Sequence, residues 1–469
     1  MNVVLLNPPG KKLYVRNYYC GSTSKSTYIF PPLDLLVLSG ILYREHSITV
    51  MDCIVDNISE DTAIKKIFDC QADAVVCLVS MVSWDADLQF LRSLKKQIPS
   101  LIVIANGDVF FENPQLKMRE SGCIDAVLFD FISNDVNNYL GGRDDHIEHM
   151  LYRRGDQVAF KKAAPGSKGG AFSIPLPRHE LFIKKHYRFP FVRRYPYTAV
   201  LTNFGCPFKC SFCIAGKLGF RYRLAGEVIE ELLSIDRLGI KELFFEDMTF
   251  GVPRANALEI CRLMREKGLK FGWACFSRAD VLDKELLAAM KAAGCHTIMI
   301  GAESSNENIL RAYQKGYNTD TIRSAFKLCR AFGIKTVATF ILGLPEDTRD
   351  TCLNTIEFAK KIDCDYASFN VAVPRPGTDL RHNAVQQGLI KDNEFVFDHS
   401  GAQVCMPAVK LSAKEINQLK CRAVREFYLR PGYILKQLFN MRSPRQLGEH
   451  IREFFGLLKS SSVIMKRER

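Results

Sequence analysis

The chain has 469 residues, 47% of them hydrophobic, and at roughly 150 residues per domain this length predicts two or three domains with ordinary cores. It has neither an apolar run of about 18 residues nor a basic, cleavable leader, so we expect neither a membrane-spanning helix nor a signal peptide. Its sixteen cysteines are then expected to be reduced thiols in a cytoplasmic protein.

Residues 1–138 alternate short apolar strands with helices. This order predicts a first α/β domain with a doubly wound parallel sheet. The predicted elements are strands Val3–Leu6, Ile48–Asp52, Ala74–Val79, Leu101–Ala105 and Ala126–Phe129 and helices Leu33–Tyr43 and Asp85–Gln97. Ligands of such sheets bind beyond the carboxyl ends of the strands. Those ends carry Asn7-Pro8, Asp52, Ser80-Met81 and Asn106-Gly107-Asp108.

Glycines and prolines interrupt both periodicities in residues 139–195, which we interpret as a linker. A short hairpin is predicted around Arg154-Gly155-Asp156. A loop is predicted at residues 163–170, which are rich in glycine. The basic and aromatic stretch Lys184–Tyr197 either faces a substrate or simply joins two domains.

Residues 196–392 repeat a strand followed by a helix six times. Successive right-handed crossovers of this kind curl into a barrel or part of one, so we predict a partial (β/α)6 barrel. The predicted strands are Tyr197–Asn203, Lys241–Phe245, Lys270–Phe276, His296–Ile300, Lys335–Leu342 and Tyr366–Val371. The predicted helices lie near 226–238, 254–267, 283–293, 305–313, 319–332 and 348–362. Barrel chemistry is expected at the carboxyl ends of the strands, the barrel mouth.

Directly after the first barrel strand comes the run Cys206-Pro-Phe-Lys-Cys210-Ser-Phe-Cys213, a C-x3-C-x2-C motif. Three thiolates on one loop can hold three irons of a 4Fe-4S cluster and leave the fourth iron open to a small molecule. Structural zinc is the alternative. It usually takes four ligands in pairs, and the chain has no second C-x2-C pair and no H-x3-H pair.

This spacing, with an aromatic residue before the last cysteine, resembles the signature loop of the radical S-adenosylmethionine (SAM) enzymes. The resemblance implies that Cys206, Cys210 and Cys213 hold a 4Fe-4S cluster whose open iron chelates SAM, and that the reduced cluster cleaves SAM to a 5'-deoxyadenosyl radical. It places Phe212 beside the adenine. No catalytic residue beyond the three cluster ligands is implied.

The next four strand ends resemble motifs of the same family, and the resemblance implies contacts with SAM. Glu246 and Asp247 follow the second strand, Arg278 lies in an R-A-D segment, Glu303 in a G-x-E-S segment, and Gly343 in a G-L-P turn against the adenine. Arginine suits a carboxylate through its fork geometry, and carboxylates suit an ammonium group or hydroxyls. Glu246 and Asp247 have an equal alternative, which is to cap the following helix.

Two neighbouring motifs remain. Asp280 is expected to cap the helix after Arg278, with Asp283 as the alternative. After the sixth strand, a P-G-T motif resembles the end of the barrel in one subfamily, and Arg375 just before it is a candidate substrate contact.

The first domain resembles the cobalamin-binding domain of that subfamily, through Asn7-Pro8-Pro9, Pro31-Pro32-Leu33 and the strand ending at Asp52. The resemblance implies cobalamin near Asn7, Pro8, Asn106 and Gly107. The D-x-H-x-x-G motif, which supplies a histidine ligand in other cobalamin domains, is missing. The alternative is a sheet that has lost its ligand.

Residues 393–469 are predicted to form a basic helical region. From Gly401 onwards there are 14 Lys and Arg against 5 Asp and Glu, a net charge of +9 out of the +13 of the whole chain. Apolar and basic positions alternate in Phe427–Phe439, which suits packing with a solvated face or, alternatively, peripheral contact with anionic lipid. No nucleic-acid-binding module accompanies the charge, so no nucleic-acid partner is expected.

Together the motifs predict a radical SAM enzyme that takes its electron from reduced flavodoxin or ferredoxin. The leading expectation is cobalamin-dependent C-methylation of an unactivated carbon in a small molecule or a lipid. Radical cyclisation, oxidation or rearrangement is the alternative within the class. A non-catalytic iron-sulfur protein or sensor is the alternative outside it.

Overall fold

The computed structural model describes residues 1–25, 28–155, 157–162, 170–394 and 398–440. The strands are β1 (Asn2–Asn7), β2 (Tyr14–Asn17), β3 (Cys20–Thr23), β4 (Ser47–Asp52), β5 (Ala74–Leu78), β6 (Ile102–Asn106), β7 (Ala126–Leu128), β8 (His149–Arg154), β9 (Gln157–Lys162), β10 (Gly170–Ala171), β11 (Thr198–Val200), β12 (Asn203–Gly205), β13 (Phe220–Tyr222), β14 (Glu242–Phe245), β15 (Gly272–Ser277), β16 (Cys295–Glu303), β17 (Lys335–Leu342) and β18 (Tyr366–Val371). The helices are α1 (Leu33–Tyr43), α2 (Glu60–Asp69), α3 (Trp84–Gln97), α4 (Pro114–Ser121), α5 (Asp135–Leu140), α6 (Ala225–Arg237), α7 (Arg254–Glu266), α8 (Lys284–Ala292), α9 (Glu307–Ala312), α10 (Thr319–Ala331), α11 (Arg349–Lys361), α12 (Asp379–Gln386), α13 (Ala413–Tyr428) and α14 (Pro431–Asn440).

The first sheet has the strand order β4-β1-β5-β6-β7-β8-β9. Its first five strands are parallel and its last two are antiparallel. The parallel part has the strand order of a doubly wound sheet. The order in which strands are added reverses between β1 and β5, so a ligand is expected in the crevice at the carboxyl ends of these two strands. The hairpin β8–β9 is the one predicted around Arg154; Asp156 lies outside the described residues. Residues 149–162, which the sequence analysis placed in the linker, therefore extend the first sheet.

A two-stranded hairpin, β2–β3, follows β1 and lies across this crevice. Its strands pair antiparallel from Tyr14–Thr23 to Asn17–Cys20. Helix α1 follows it and is buried along almost its whole length, from Leu33 to Leu42. A helix that is apolar on every side is stable only when it is covered on every side, and α1 has apolar neighbours in both halves of the chain.

The second sheet has six parallel strands in the order β11-β14-β15-β16-β17-β18. Helices α6 to α11 connect them, so the predicted six-fold strand–helix repeat is confirmed. One predicted strand, Tyr197–Asn203, is divided into β11 and β12, and β12 pairs with β13 in a separate small sheet with β10. The strand order is open at β11 and β18, as expected for a partial barrel.

Aromatic residues from outside the barrel fill its lumen. The ring centroids of Phe189 and Phe244 are 4.4 Å apart, and those of Phe30 and Phe244 are 6.3 Å apart. The helical region after the barrel begins with α13, whose buried residues include Ile416, and continues with α14. Residues 441–469 lie outside the described part of the chain. Among the described helices, none combines the length and the apolar character needed to cross a membrane.

Candidate active site

The cysteine motif forms a loop at the barrel mouth between β12 and β13. The Cys206 amide donates to the carbonyl of Ala215 at 3.1 Å, and the Cys213 amide donates to the carbonyl of Cys210 at 3.0 Å. A Cβ atom on Gly205 would lie 1.6 Å from the Gly219 carbonyl oxygen, and the φ of Gly205 is +71°. Only glycine fits such a close backbone crossing at positive φ. The base of the loop is therefore held by backbone contacts.

The three thiols are free and half-buried. Burial raises the pKa of Cys206, and it raises the pKa of Cys213 to about 11. Nearby arginines lower these pKa values: Arg278 acts on Cys206, and Arg375 acts on Cys213. Thiols must lose their protons to bind iron, so these guanidinium groups favour the state that binds the metal.

Within the part of the chain that the structure describes, no three His, Cys, Asp or Glu side chains converge as the ligands of one metal ion do. In a 4Fe-4S cluster each cysteine binds a different iron, so the sulfurs are spaced more widely than the ligands of zinc.

Arg278 follows β15 and contacts the cysteine loop directly. Its Nη1 donates to the Cys210 sulfur at 3.2 Å, and its Nε and Nη2 donate to the two carboxylate oxygens of Asp280 at 3.0 and 2.9 Å. Its guanidinium carbon lies 3.7 Å from the centre of the Phe208 ring. Asp280 is thus the partner of Arg278 and not a helix cap. Asp283, the alternative, caps α8 by accepting from the Leu286 amide.

Glu303 ends β16 in a left-handed conformation, with φ +61°. Its Oε1 accepts from Lys315 Nζ at 2.7 Å, and both residues are buried. A buried carboxylate is costly unless it is paired, and Lys315 is the pair that sequence reasoning missed. Coulomb attraction to Glu303, acting against burial, raises the pKa of Lys315, so the lysine is charged. The Lys315 ammonium also lies 5.6 Å from the centre of the Phe212 ring.

Glu246 and Asp247 follow β14 and play different roles. Asp247 is fully buried and accepts hydrogen bonds from the amides of Thr202 and Asn203 at 2.6 and 3.0 Å. It thereby holds the chain that leads to the cysteine loop. Glu246 accepts from Asn17 Nδ2, and its Oε2 has no hydrogen-bond partner. Neither caps α7, which begins after Pro253 without a side-chain cap.

The two acids of this pair also differ in ionisation. Burial raises the pKa of Glu246 well above its usual range, and the nearby Asp34 adds to the effect. Burial raises the pKa of Asp247 to about 6, although its hydrogen bonds from residues 202 and 203 favour the charged form. Glu246 is therefore the carboxyl group at the mouth that keeps an oxygen without a partner among the described residues, and its raised pKa favours the neutral form.

Gly343 and Phe212 lie on the other side of the mouth. Gly343 has φ +78°, and a Cβ atom there would lie 2.8 Å from the Ile416 side chain of α13. The backbone at this G-L-P turn therefore does approach a neighbour closely, as predicted, but that neighbour is α13. Phe212 is half-buried, with its ring centroid 6.2 Å from that of Tyr313.

The first-sheet residues predicted to contact cobalamin are divided between closed and open positions. Asn7 is enclosed: Arg16 Nη1 donates to its Oδ1 at 2.8 Å, and its Nδ2 donates to Asp52 Oδ1 at 2.9 Å. The same Arg16 nitrogen donates to the Pro8 carbonyl at 3.1 Å. At Gly107 a Cβ atom would lie 1.9 Å from the Val79 carbonyl oxygen. These three positions are therefore occupied by the chain's own packing.

Asn106 differs from them. Its Nδ2 donates to Asp34 at 3.0 Å, and its Oδ1 is buried without a partner among the residues that the structure describes. Within the same described ranges, the Tyr19 hydroxyl and Glu246 Oε2 are further buried polar atoms that lack a partner. Buried polar groups are normally hydrogen-bonded, so each of these three atoms has the capacity for a hydrogen bond to a bound polar group.

Comparison with known proteins gives a consistent result. Residues 200–359 match the radical SAM superfamily. An uncharacterized methyltransferase of Pyrococcus horikoshii is 30% identical over 461 residues, covering 94% of this chain and 95% of that protein. The anaerobic magnesium-protoporphyrin IX monomethyl ester cyclase of Cereibacter sphaeroides is 26% identical, covering 98% of this chain and 74% of the cyclase.

A solved structure shares the fold along nearly the whole chain. The cobalamin-dependent S-adenosylmethionine radical enzyme OxsB, with aqua-cobalamin bound, superposes with a TM-score of 0.70 at 16% identity, over 99% of this chain and 75% of OxsB. The predicted fold class and the predicted resemblance are confirmed. The chain belongs to the radical SAM superfamily, whose enzymes use a 4Fe-4S cluster and SAM.

Proposed function

We propose that this enzyme reductively cleaves SAM at a 4Fe-4S cluster held by Cys206, Cys210 and Cys213. The observation that carries the proposal is the 3.2 Å contact between Arg278 and the Cys210 sulfur at the mouth of a parallel barrel. When bound, the reduced cluster and SAM supply a 5'-deoxyadenosyl radical, which takes a hydrogen atom from a substrate carbon.

The side chains around the loop prepare the site for this chemistry. Arg278 holds Cys210, and its pairing with Asp280 fixes the guanidinium. Glu303, held by Lys315, and Glu246, with its open oxygen, would bind the polar groups of SAM, while Phe212 and the Gly343 turn would flank the adenine. Preformed contacts of this kind spare the enzyme the entropy of ordering them during the reaction.

The test is SAM cleavage by anaerobically reconstituted protein reduced with dithionite. Wild-type protein should form 5'-deoxyadenosine, and Cys213→Ala should form none because one iron loses its ligand. Cys70→Ala is the matched control, since Cys70 is also half-buried but lies at the end of α2 in the first half. SAM cleavage by Cys213→Ala at the wild-type rate would refute the cluster assignment.

Cobalamin-dependent C-methylation of an unactivated carbon is the outcome that we propose for the radical. The support is the relative named as a methyltransferase, which matches 94% of this chain, and the partnerless atoms of Asn106, Tyr19 and Glu246, which fit a polar cofactor. Bound methylcobalamin would supply the methyl group. The expected result is that the protein retains cobalamin and consumes two SAM per methylated product, as the proposed chemistry requires.

Radical cyclisation, or another oxidation or rearrangement, is the second candidate. The observation that favours it is the relative named as a cyclase, which matches 98% of this chain. Under this alternative no methyl group of SAM appears in the product. Carbon-13 in the SAM methyl group separates the two outcomes, because only methylation transfers the label to the product.

The one-electron donor that a radical SAM enzyme needs is proposed to be a reduced flavodoxin or ferredoxin of the cytoplasm, and the substrate to be a small molecule or a lipid. The basic residues after Gly401 support a lipid or peripheral contact with a membrane, although many of them lie in 441–469, outside the described chain. Sedimentation with vesicles that contain anionic lipid at low salt tests this contact. Protein that stays in the supernatant would exclude it.

A further inference from the structure

Four polar side chains, which we call the thiol cluster, meet between the first sheet and the barrel, and the proposed SAM chemistry gives three of them, Cys20, Asp108 and His399, no role. They are Cys20 of β3, Asp108 after β6, Arg375 after β18 and His399 before α13. Arg375 Nη1 donates to the Cys20 sulfur at 3.4 Å, and its Nη2 donates to the His399 carbonyl at 3.2 Å. His399 Nδ1 lies 3.1 Å from Asp108 Oδ2.

Backbone contacts hold the same cluster together. Asp108 Oδ2 accepts from the Gly21 amide at 2.7 Å, and its Oδ1 accepts from the Met81 amide at 2.8 Å. The His399 amide donates to the Gly21 carbonyl at 3.2 Å. The carboxylate is thus fixed by two amides and lies beside the imidazole, whose two ring nitrogens have no hydrogen-bond partner among the described residues.

The cluster is accessible at one end only. The side chains of Asp108 and His399 are each 2% exposed, whereas Cys20 and Arg375 are half-buried. The charge of Arg375 also interacts with Cys213. The thiol is therefore the end that faces the barrel mouth.

The charges around the sulfur favour the thiolate. Burial opposes ionisation, but Arg375 and then His399 lower the pKa of Cys20. Burial also opposes the charge on His399, whereas Asp108 raises the pKa of that imidazole. Two other half-buried cysteines behave in the opposite way: burial raises the pKa of Cys70, and it raises the pKa of Cys405 to about 12.

We propose that Cys20 is a catalytic thiolate that accepts a proton from the substrate, with Arg375 holding the sulfur and the ion pair of His399 with Asp108 supplying positive charge beside it. An X–H bond of the substrate breaks, its proton passes to the sulfur and the electron pair stays on the substrate, so no oxidant or reductant is used. Solvent takes the proton from the thiol when the product leaves. A lowered pKa keeps the sulfur deprotonated near neutral pH, which is the state that can accept a proton.

The test measures the rate at which iodoacetamide alkylates each cysteine in cluster-loaded protein under anaerobic conditions, between about pH 5 and about pH 9. Peptide mass spectrometry separates Cys20 from Cys70 and Cys405, which serve as internal controls. At pH 7 we expect Cys20 to react at least about tenfold faster than either control, since only the thiolate reacts. Equal rates at Cys20 and Cys70 would overturn the proposal.

Substitutions of the partners test the positioning roles. In His399→Gln and Asp108→Asn the midpoint of Cys20 alkylation should move up, towards the value of about 8.5 for a free cysteine. A purely structural role of His399 would leave the midpoint unchanged and would also overturn the proposal. Circular dichroism and iron content identify any variant that fails to fold, and Arg375→Lys, which keeps the positive charge, provides a milder second variant.

The role of Cys20 rests on the proposed function in one respect, which is that the reaction takes place at the barrel mouth. A pH profile of turnover tests the role of Cys20 separately from SAM cleavage. The acidic limb of kcat/KM should coincide with the alkylation midpoint of Cys20 and move with it in His399→Gln. A limb that stays in place would remove Cys20 from the chemistry. Protein that alkylates as expected but forms no 5'-deoxyadenosine would instead refute the proposed function.

Discussion

At the scale of single residues, the structure changes what a motif match means. The R-A-D resemblance assigns Arg278 to the SAM carboxylate, but the guanidinium is already engaged by Asp280, the Cys210 sulfur and the Phe208 ring. A residue that is held on so many sides is positioned before any ligand binds. Arg278 therefore acts at least in part through the cysteine loop, where its charge stabilises a thiolate.

We expect Arg278→Lys to slow 5'-deoxyadenosine formation by about 10- to 100-fold, the equivalent of about 1.5–3 kcal/mol for lost hydrogen bonds to charged groups. A lysine has a single ammonium group and cannot serve Asp280 and Cys210 in the same fork. The measurement is the initial rate under dithionite at saturating SAM. Arg254→Lys, in the exposed pair with Asp283, is the control. An unchanged rate in Arg278→Lys would contradict this role.

Glu246 provides a prediction about pH. Its pKa is raised well above the usual range by burial, whereas in the unfolded chain it should be about 4.3. Between these values the folded protein keeps a proton that the unfolded chain releases, so Glu246 lowers the free energy of unfolding as pH rises above about 4.3. Glu246→Gln does not titrate, and its stability relative to wild type should therefore grow from about pH 5 to about pH 8.

Urea unfolding of metal-free protein at several pH values measures this difference. The exposed Glu230→Gln is the matched control. A constant difference between Glu246→Gln and wild type across the range would mean that Glu246 ionises normally in the folded protein.

At the scale of elements, the hairpin β2–β3 shows why local signals fail. Its turn is Tyr18-Tyr19, and both residues have positive φ, +48° and +56°. Two-residue hairpin turns with two positive φ angles normally use Asn-Gly or Asp-Gly, so no local signal predicts a turn at two tyrosines. Tertiary contacts hold it instead, since Tyr18 stacks on Phe204 at 5.7 Å and Tyr19 lies 5.6 Å from Phe131.

The junction of β17 with α13 permits a test of one close contact. Gly343→Ala should lower the free energy of unfolding for two reasons. An alanine at positive φ is strained, and the new methyl group would also meet Ile416 at 2.8 Å. We expect a total of about 1–3 kcal/mol. The measurement is denaturant unfolding.

Gly388→Ala is the matched control for this prediction, since Gly388 has φ +68° and open space around it. It reports the backbone cost alone. The loss in the double variant Gly343→Ala/Ile416→Ala should be smaller than the sum of the losses in the two single variants, because the clash is then relieved. Equal losses in the two glycine variants would show that α13 adjusts without cost.

At the scale of the whole molecule, the hairpin β2–β3 connects the first sheet to the cysteine loop. Arg16 reaches back to Asn7 and Asp87, while Asn17 reaches forward to Glu246. The Tyr18 hydroxyl accepts from the Gly205 amide at 2.6 Å, directly before Cys206. The first half of the chain therefore sets the position of the cysteine loop in the second half.

Tyr18→Phe is expected to lower the free energy of unfolding by about 1–3 kcal/mol, because the buried Gly205 amide loses its acceptor. Less iron should also be retained after reconstitution, since the cysteine loop starts at this amide. Tyr43→Phe removes a hydroxyl from a residue that is 50% exposed and should change neither quantity. If Tyr18→Phe keeps full iron content, the cysteine loop does not depend on the hairpin.

Much of the architecture could be predicted from the chain alone. The six strand–helix units and the loop of Cys206, Cys210 and Cys213 follow from local periodicity and spacing, and the mouth follows because parallel strands end on one side. The hairpin β8–β9 was expected, but its place in the first sheet was not. Strand ends such as Glu246 and Asp247 look alike in the sequence, and their different partners decide their roles.

The sequence by itself determined the family to which this protein belongs, since the signature loop needs only three cysteines at short spacing. Only the tertiary structure decided which groups tune the family's chemistry. Asn17 meets Glu246 across 229 positions and Arg375 meets Cys20 across 355, and no local pattern records contacts of that separation. Because burial and opposite charges act through space, the raised pKa of Glu246 and the lowered pKa of Cys20 arise only when the two halves pack together.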